Sequence, residues 1–324
     1  MFRYVLRRLA WAIPTLIFVT FLVYIALRIG TDPVASYKRI NPRASKAKIA
    51  QYIEVNGLDP NFVRGYFRWL GNFVTLDWPR SIKGSREVWP QLKDALANTI
   101  RLGVAASSVG IVIGLGLGVF AALRPGGRRD VAVNTAAFVG ISIPPYVSAI
   151  LFQLFFAVYW SRWFGSTLFP TSGVYPPGQL GFDLSLMLKH MVLPTFVVAI
   201  QIIAVYSRYM RSSLLDVLNS EYMRTARSKG ISEARILFRH GLRNALIPVV
   251  TIAALDVGAI VGGLIITENV FSYPGMGKYF LSAFGEGDFP LLMPWMVIIV
   301  ASTLFFNLLA DISYAWLDPR IRLD

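Results

Sequence analysis

The chain has 324 residues, 55% of them hydrophobic, and a mean hydropathy of +0.54. A soluble domain of this length carries less apolar side chain, so lipid must solvate much of this one. The formal net charge is +14, but the basic residues lie between apolar runs rather than on one basic and aromatic surface, which argues against a nucleic-acid partner. With no cysteine, disulfides, thiolate catalysis and Cys-ligated zinc are excluded, and His190 and His240 have no metal-ligand spacing.

Apolar runs predict six transmembrane helices, near residues 9–29, 100–123, 132–160, 187–207, 246–267 and 291–314. Helices are required because lipid offers backbone groups no hydrogen-bond partner. The first run follows Arg3, Arg7 and Arg8 and is too long for the apolar core of a signal peptide, so it is expected to stay as a signal anchor. Three segments follow from this reading: an N-terminal helix (1–30), a folded extracytoplasmic element (31–98) and a core of five helices (99–324). The middle one is too long and too rich in Trp, Tyr and Pro to be a linker. In the third span Pro144 and Pro145 remove two backbone donors and should kink or break the helix.

Small residues recur every four positions at Gly110, Gly114 and Gly118, and again at Gly258 and Gly262, a spacing that lets helix backbones approach closely. Asp256 lies well inside the fifth span. A lipid-facing carboxylate there would cost roughly 2.5–3.5 kcal/mol on insertion scales, so it should face the bundle or a watery cavity. Asp256, Gln153, Gln201 and Asn307 are the candidates for a translocation path, each with a structural hydrogen bond to a neighbouring helix as the alternative.

The connection between spans four and five carries the most information. In residues 221–242, Gly230 can break the backbone between two short helices. Ile231, Ala234, Phe238 and Leu242 recur at helical spacing, with Arg235, Arg239 and Arg243 alongside. Such a helix–glycine–helix offers an apolar stripe and a basic flank either to anionic lipid or to a protein partner.

Arg224-Thr225-Ala226-Arg227-Ser228-Lys229-Gly230 resembles the peptide-importer version of the coupling-helix motif of ABC importer permeases. The general motif has Glu-Ala-Ala where this chain has Arg-Thr-Ala, and places its Leu-Pro nearer the glycine than Ile247-Pro248. Both departures are those of the oligopeptide and dipeptide branch. Gly57-Leu58-Asp59-Pro60, Tyr66-Phe67-Arg68-Trp69-Leu70, the stretch from Glu268 to Gly277 and Leu317-Asp318-Pro319-Arg320 likewise resemble its B-type permease.

The resemblance implies an all-α type I importer permease of about six helices in a bacterial inner membrane. It implies that Glu221, Arg224, Thr225, Ala226, Arg227, Lys229, Gly230, Ile231, Arg235 and Phe238 couple the chain to an ATPase. The implied partners are a second homologous permease, two ATPase subunits, an extracytoplasmic solute-binding protein and membrane lipid. The implied cargo is a di- or oligopeptide, with haem, nickel or sugars as alternatives carried on the same fold. The sequence contains no G-x-x-x-x-G-K-[ST] loop, so no cofactor is expected on this chain, with ATP and Mg on the partner subunits. A stand-alone channel would need no docking segment, and a proton-coupled carrier should show more intramembrane carboxylates.

Arg124, Arg128 and Arg129 between spans two and three, and the basic run from Arg208 to Arg243, place those connections and both termini in the cytoplasm. Single cysteines should therefore label from outside intact cells at Ser172 and not at Ser228. The reverse pattern would overturn this topology.

Overall fold

The computed structural model describes residues 2–84, 87–179, 181–261 and 264–317, and among these every regular element is helical. In chain order they are α1 (Phe2–Thr31), α2 (Pro33–Ile40), α3 (Lys46–Val55), α4 (Phe62–Val74), α5 (Val88–Ala122), α6 (Arg128–Ser142) and α7 (Pro145–Gln153). A π-helical turn (Leu154–Tyr159) joins α7 to α8 (Trp160–Phe164), and α9 (Leu184–Leu218) and α10 (Glu221–Ser228) follow. Next come α11 (Glu233–Arg235), a second π turn (Ile236–Gly241), α12 (Leu242–Val261), α13 (Ile265–Val270), α14 (Met276–Glu286) and α15 (Phe289–Leu317). Five helical stretches among the described residues are long and apolar enough to cross a bilayer: Leu6–Thr31, Val88–Ala122, Pro145–Phe164, Leu184–Leu218 and Phe289–Leu309. The remaining expected span coincides with α12, which is 20 residues long.

The spine is the parallel pair α5 and α9, each of 35 residues and thus about 50 Å long. Their contact runs through the glycine ladder. A Cβ on Gly110 would meet Ile202, one on Gly114 would meet Tyr206, and one on Gly118 would meet Ser207 and Met210. Backbone approach, not a pore lining, is therefore what this ladder provides. Gly258 and Gly262 fall outside the residues whose packing is described. Both spine helices outrun the apolar stretches that announced them, because hydropathy marks depth in lipid and not the continuity of a helix.

The third span differs from expectation. Pro144 and Pro145 end one helix and begin another. The preceding helix α6 carries Arg128, Asp130 and Asn134, so the apolar crossing is confined to Pro145–Phe164. The fifth span is also shorter than the apolar run, with α13 a separate helix after α12.

The segment between α1 and α5 is folded onto the bundle. Asp32, Ser45 and Asn61 cap α2, α3 and α4 through their side-chain oxygens. Tyr24 of α1 is buried and donates to the Gly57 carbonyl. Arg28 reaches Tyr24 Oη at 2.9 Å and the Leu58 carbonyl at 3.1 Å, with its guanidinium over the Phe62 ring. Tyr66, Trp69, Ile82 and Phe289 join Tyr24 in one apolar cluster. The Trp69, Phe73, Trp78 and Trp89 rings follow in succession along its edge.

Asp288, just before α15, locks this segment in place. It is fully buried and accepts from Ser81 Oγ at 2.5 Å and Ile82 N at 3.2 Å. Its other oxygen, like the neighbouring Tyr52 and Tyr279 hydroxyls, has no hydrogen-bond partner among the described residues. Burial pushes the carboxyl from 3.8 up to about 6; the Ser81 and Ile82 bonds oppose the shift and Glu286 adds to it.

A carboxyl whose pKa is raised by folding favours the fold below its ordinary pKa, and that contribution fades as pH rises through about 6. Thermal unfolding in detergent should therefore show the chain more stable at pH 5 than at pH 7.5. Asp288→Asn, which keeps an acceptor for Ser81 and adds a donor for a tyrosine hydroxyl, should flatten that dependence. At pH 7.5 it should stabilise by about 1–3 kcal/mol.

Candidate functional site

The α10–α11 segment hangs from the end of α9. Ser220 adopts extended backbone and starts α10; Gly230 then takes φ +73°, a left-handed conformation that ends the helix at little steric cost. Among the described residues nothing beyond its chain neighbours lies within 4 Å of where a Cβ on Gly230 would stand. Local bonds stiffen the element: Arg224 pairs with Glu221 at 2.9 Å, Arg227 with Glu233 at 3.1 Å, and Asn244 donates to Tyr222 Oη.

One side chain seats α10 on the bundle. Met223 is completely buried, 3.5 Å from where a Cβ on Gly241 would stand, with Leu214 at the same distance. The sequence reading missed it, since a single methionine in a charged segment carries no periodic signal. It also missed the π turn, which inserts a residue and resets the helical face. The buried row therefore runs Ile236, Gly241, Ala245, Val249. Of the expected stripe, Leu242 packs against the α9–α12 cluster and Ile231 is half-buried, while Ala234 and Phe238 point away from the bundle. Phe238 is 69% exposed. Elsewhere in the segment Glu221, Arg224, Thr225, Arg227, Lys229 and Arg235 are exposed and Ala226 is half-buried, so most of the expected residues are open to a partner.

At the same end of the bundle Asp130 of α6 is buried and receives Arg211 of α9 through Nε at 2.5 Å and Nη2 at 2.6 Å. Asn134 Nδ2 and Gly126 N complete its shell. Chiefly the Arg211 bond, against the cost of burial, holds this carboxyl down to about 2.

At the opposite end Glu268 of α13 is fully buried. It accepts from Thr99 Oγ1 of α5 at 2.6 Å, Gly277 N at 2.6 Å, Lys278 N at 3.2 Å and Leu264 N at 3.3 Å. Thr99 Oγ1 in turn accepts from Met276 N at 2.7 Å. A Cβ on Gly275 would overlap the Glu268 carboxylate.

The four intramembrane candidates are not gathered into one site. Gln153 donates to the Thr171 and Val270 carbonyls, both at 3.0 Å. Gln201 donates to Gly140 O at 2.9 Å and Ile143 O at 3.1 Å, which fills acceptors left free where the two prolines stop α6. Asn307 is exposed and lines a hollow of about 470 Å³ between α1 and α15. Asp256 is exposed on α12 and accepts from Tyr206 Oη at 2.7 Å. His190 Nδ1 lies 2.9 Å from the Ser172 carbonyl, an ordinary structural bond.

Replacing Met223 by Ala should cost about 2–5 kcal/mol of local seating and release α10. Limited trypsinolysis in detergent should then cut at Arg224, Arg227 or Lys229 several-fold faster, with the transmembrane fragments unchanged.

Residues 114–323 match the family model of the binding-protein-dependent transport system inner membrane component. The chain is 37% identical to the oligopeptide transport system permease protein AppB of Bacillus subtilis, over 98% of this chain and 99% of that one. It is 34% identical to a putative peptide permease of Brucella ovis over 100% of both chains. With the dipeptide transport system permease protein DppB of Escherichia coli K12 it shares 31% identity over 99% of each. Among solved structures, a chain of the MetNI methionine ABC transporter in an inward-facing conformation superposes with TM-score 0.54 at 18% identity, covering 70% of this chain and 96% of that one. A chain of an amino acid ABC transporter gives TM-score 0.51 at 14% identity, covering 70% and 94%. These two likenesses establish a shared fold.

Proposed function

The chain belongs to the binding-protein-dependent transport system inner membrane component family, and from that premise we propose that it imports peptides as one permease subunit of an ATP-driven transporter. It is a multi-pass membrane protein, all-α, with the type I importer permease fold. The full-length relatives named for oligopeptide, dipeptide and peptide transport support a peptide cargo. A second homologous permease would complete the path, and a solute-binding protein would deliver the peptide to the face carrying α2–α4. Two ATPase subunits, which hold the ATP and Mg, would dock at the end carrying α10, in the cytoplasm together with both termini.

The observation that carries the docking reading is the open surface around Gly230 and Phe238. Helix-in-groove recognition uses an apolar anchor flanked by charge that sets register, and a partner close to Gly230 needs a site free of side chain. Phe238 is such an exposed apolar anchor, and Arg224, Arg227 and Arg235 of the same segment are exposed as well. Resting on anionic lipid is the competing use of the same surface.

Gly230→Trp should leave the spans inserted and the second permease bound, while the ATPase subunits are lost or hydrolyse ATP without uptake. Because any side chain is strained at this φ, Phe238→Ala gives the independent check, removing an anchor that the chain's own core does not use. It should lower ATPase retention about tenfold or more, as for an interface hot spot. Normal transport by both variants would return the segment to the lipid-surface reading.

A further inference from the structure

Asp256 combines features that Gln153, Gln201 and Asn307 do not. It lies deep in the apolar part of α12, about 20 Å along the helix from Arg243. It is nonetheless exposed in the isolated chain. Acyl chains cannot solvate a carboxylate at that depth, so this face of α12 must meet water or a polar partner.

The carboxylate is also aimed. Tyr206 of α9 is 2% exposed, packed against Gly114 of the spine, and its hydroxyl donates to Asp256 Oδ2 at 2.7 Å. A buried tyrosine that spends its only donor on one carboxylate oxygen fixes the rotamer and leaves the other oxygen with no partner among the described residues. No cation pairs with Asp256 among those residues either. A fixed anionic oxygen on an open face of α12 offers a partner to a small cation that also hydrogen-bonds.

We propose that Asp256, held by Tyr206, receives the protonated α-amino group of the peptide as it crosses, and so makes transport selective for cargo with a free amino terminus. The inference rests on the peptide-importer reading above. An α-amino group, with an ordinary pKa near 8, is charged at neutral pH and must shed water in the path. A preplaced carboxylate replaces part of that hydration, and in a site of low dielectric such a contact outweighs the same contact in bulk water. Tyr206 touches no cargo in this account and acts as a positioning residue.

The test uses the whole transporter, this chain with its second permease, ATPases and binding protein, reconstituted in vesicles. One peptide is supplied in two forms, with a free α-amino group and des-amino, chosen so that the binding protein loads both. Dividing variant by wild-type uptake for each form cancels any preference of the binding protein. Asp256→Asn should lower ATP-dependent uptake of the free-amine form about tenfold or more and of the des-amino form less than twofold. Tyr206→Phe, which keeps the ring packing, should shift the same ratio in the same direction by a smaller factor.

Equal losses for both forms would overturn the inference, as would unchanged uptake of both. So would an Asp256→Asn chain that no longer co-purifies with the second permease, since the carboxylate would then be pairing with that subunit. A wild-type transporter that imports neither form would sink the peptide reading itself, and this inference with it.

Discussion

Glu268 is a fully buried carboxylate with no paired cation among the described residues, and the half of the bundle opposite α10 is arranged around it. What stabilises the charge is a set of fixed dipoles. The Gly277 and Lys278 amides sit in the first turn of α14, where helix amides lack intrahelical partners, and the Thr99 hydroxyl adds a donor from α5. Charge-assisted bonds of this kind are among the stronger ones, and losing one donor would leave charge buried and unmet. Gly275 follows from the same constraint, because any side chain there would occupy the carboxylate's position. One acid thus joins α5, α13 and α14, and through the Trp295 indole bonded to the Met276 carbonyl it reaches α15.

The helix α12 links the α10 end of the chain to Asp256 along one axis. Its beginning is continuous with the π turn that seats Met223 and presents Phe238, and Asp256 lies within it. A displacement imposed at α10 has little slack in which to dissipate. Met223 is clamped against Gly241 and Leu214, and Asp130 ties α6 to α9 through Arg211 close by. This is a mechanical connection read from packing, and it ties the short α10–α11 segment firmly to the membrane helices without a large interface of its own.

Much of this was legible in the sequence, for physical reasons that differ by feature. Apolar runs report burial in lipid directly, so the spans were found. Proline and glycine act locally, so the break at Pro144-Pro145 and the turn at Gly230 were found too. Order in the segment before α5 followed from its aromatic mass. The hubs were not legible, because they join residues remote in sequence: Asp130 with Arg211 across 81 positions, Thr99 with Glu268 across 169, and Ser81 with Asp288 across 207. Nor was the exposed face of the segment around Gly230. A 3.6-residue period assigns Ile231, Ala234, Phe238 and Leu242 to one stripe, and the π turn at Ile236–Gly241 moves Leu242 into the core while leaving Phe238 outside.

The fate of the intramembrane polar residues separates structure from function. Gln153 and Gln201 spend their amide donors on backbone carbonyls, and the carbonyls Gln201 meets are those that the proline break would otherwise leave unpaired in a lipid environment. Such a residue is required by the fold whatever passes through the membrane. Asp256 differs because the fold does not need it. Tyr206 could be matched by a neutral acceptor at far lower cost, and among the described residues no backbone group is bonded to the carboxylate. A costly charge that repairs nothing within its own chain is explained by what lies outside the chain. If the transporter is built from two permeases, as proposed, the surface that a single subunit leaves open is where the second subunit and the cargo would be met.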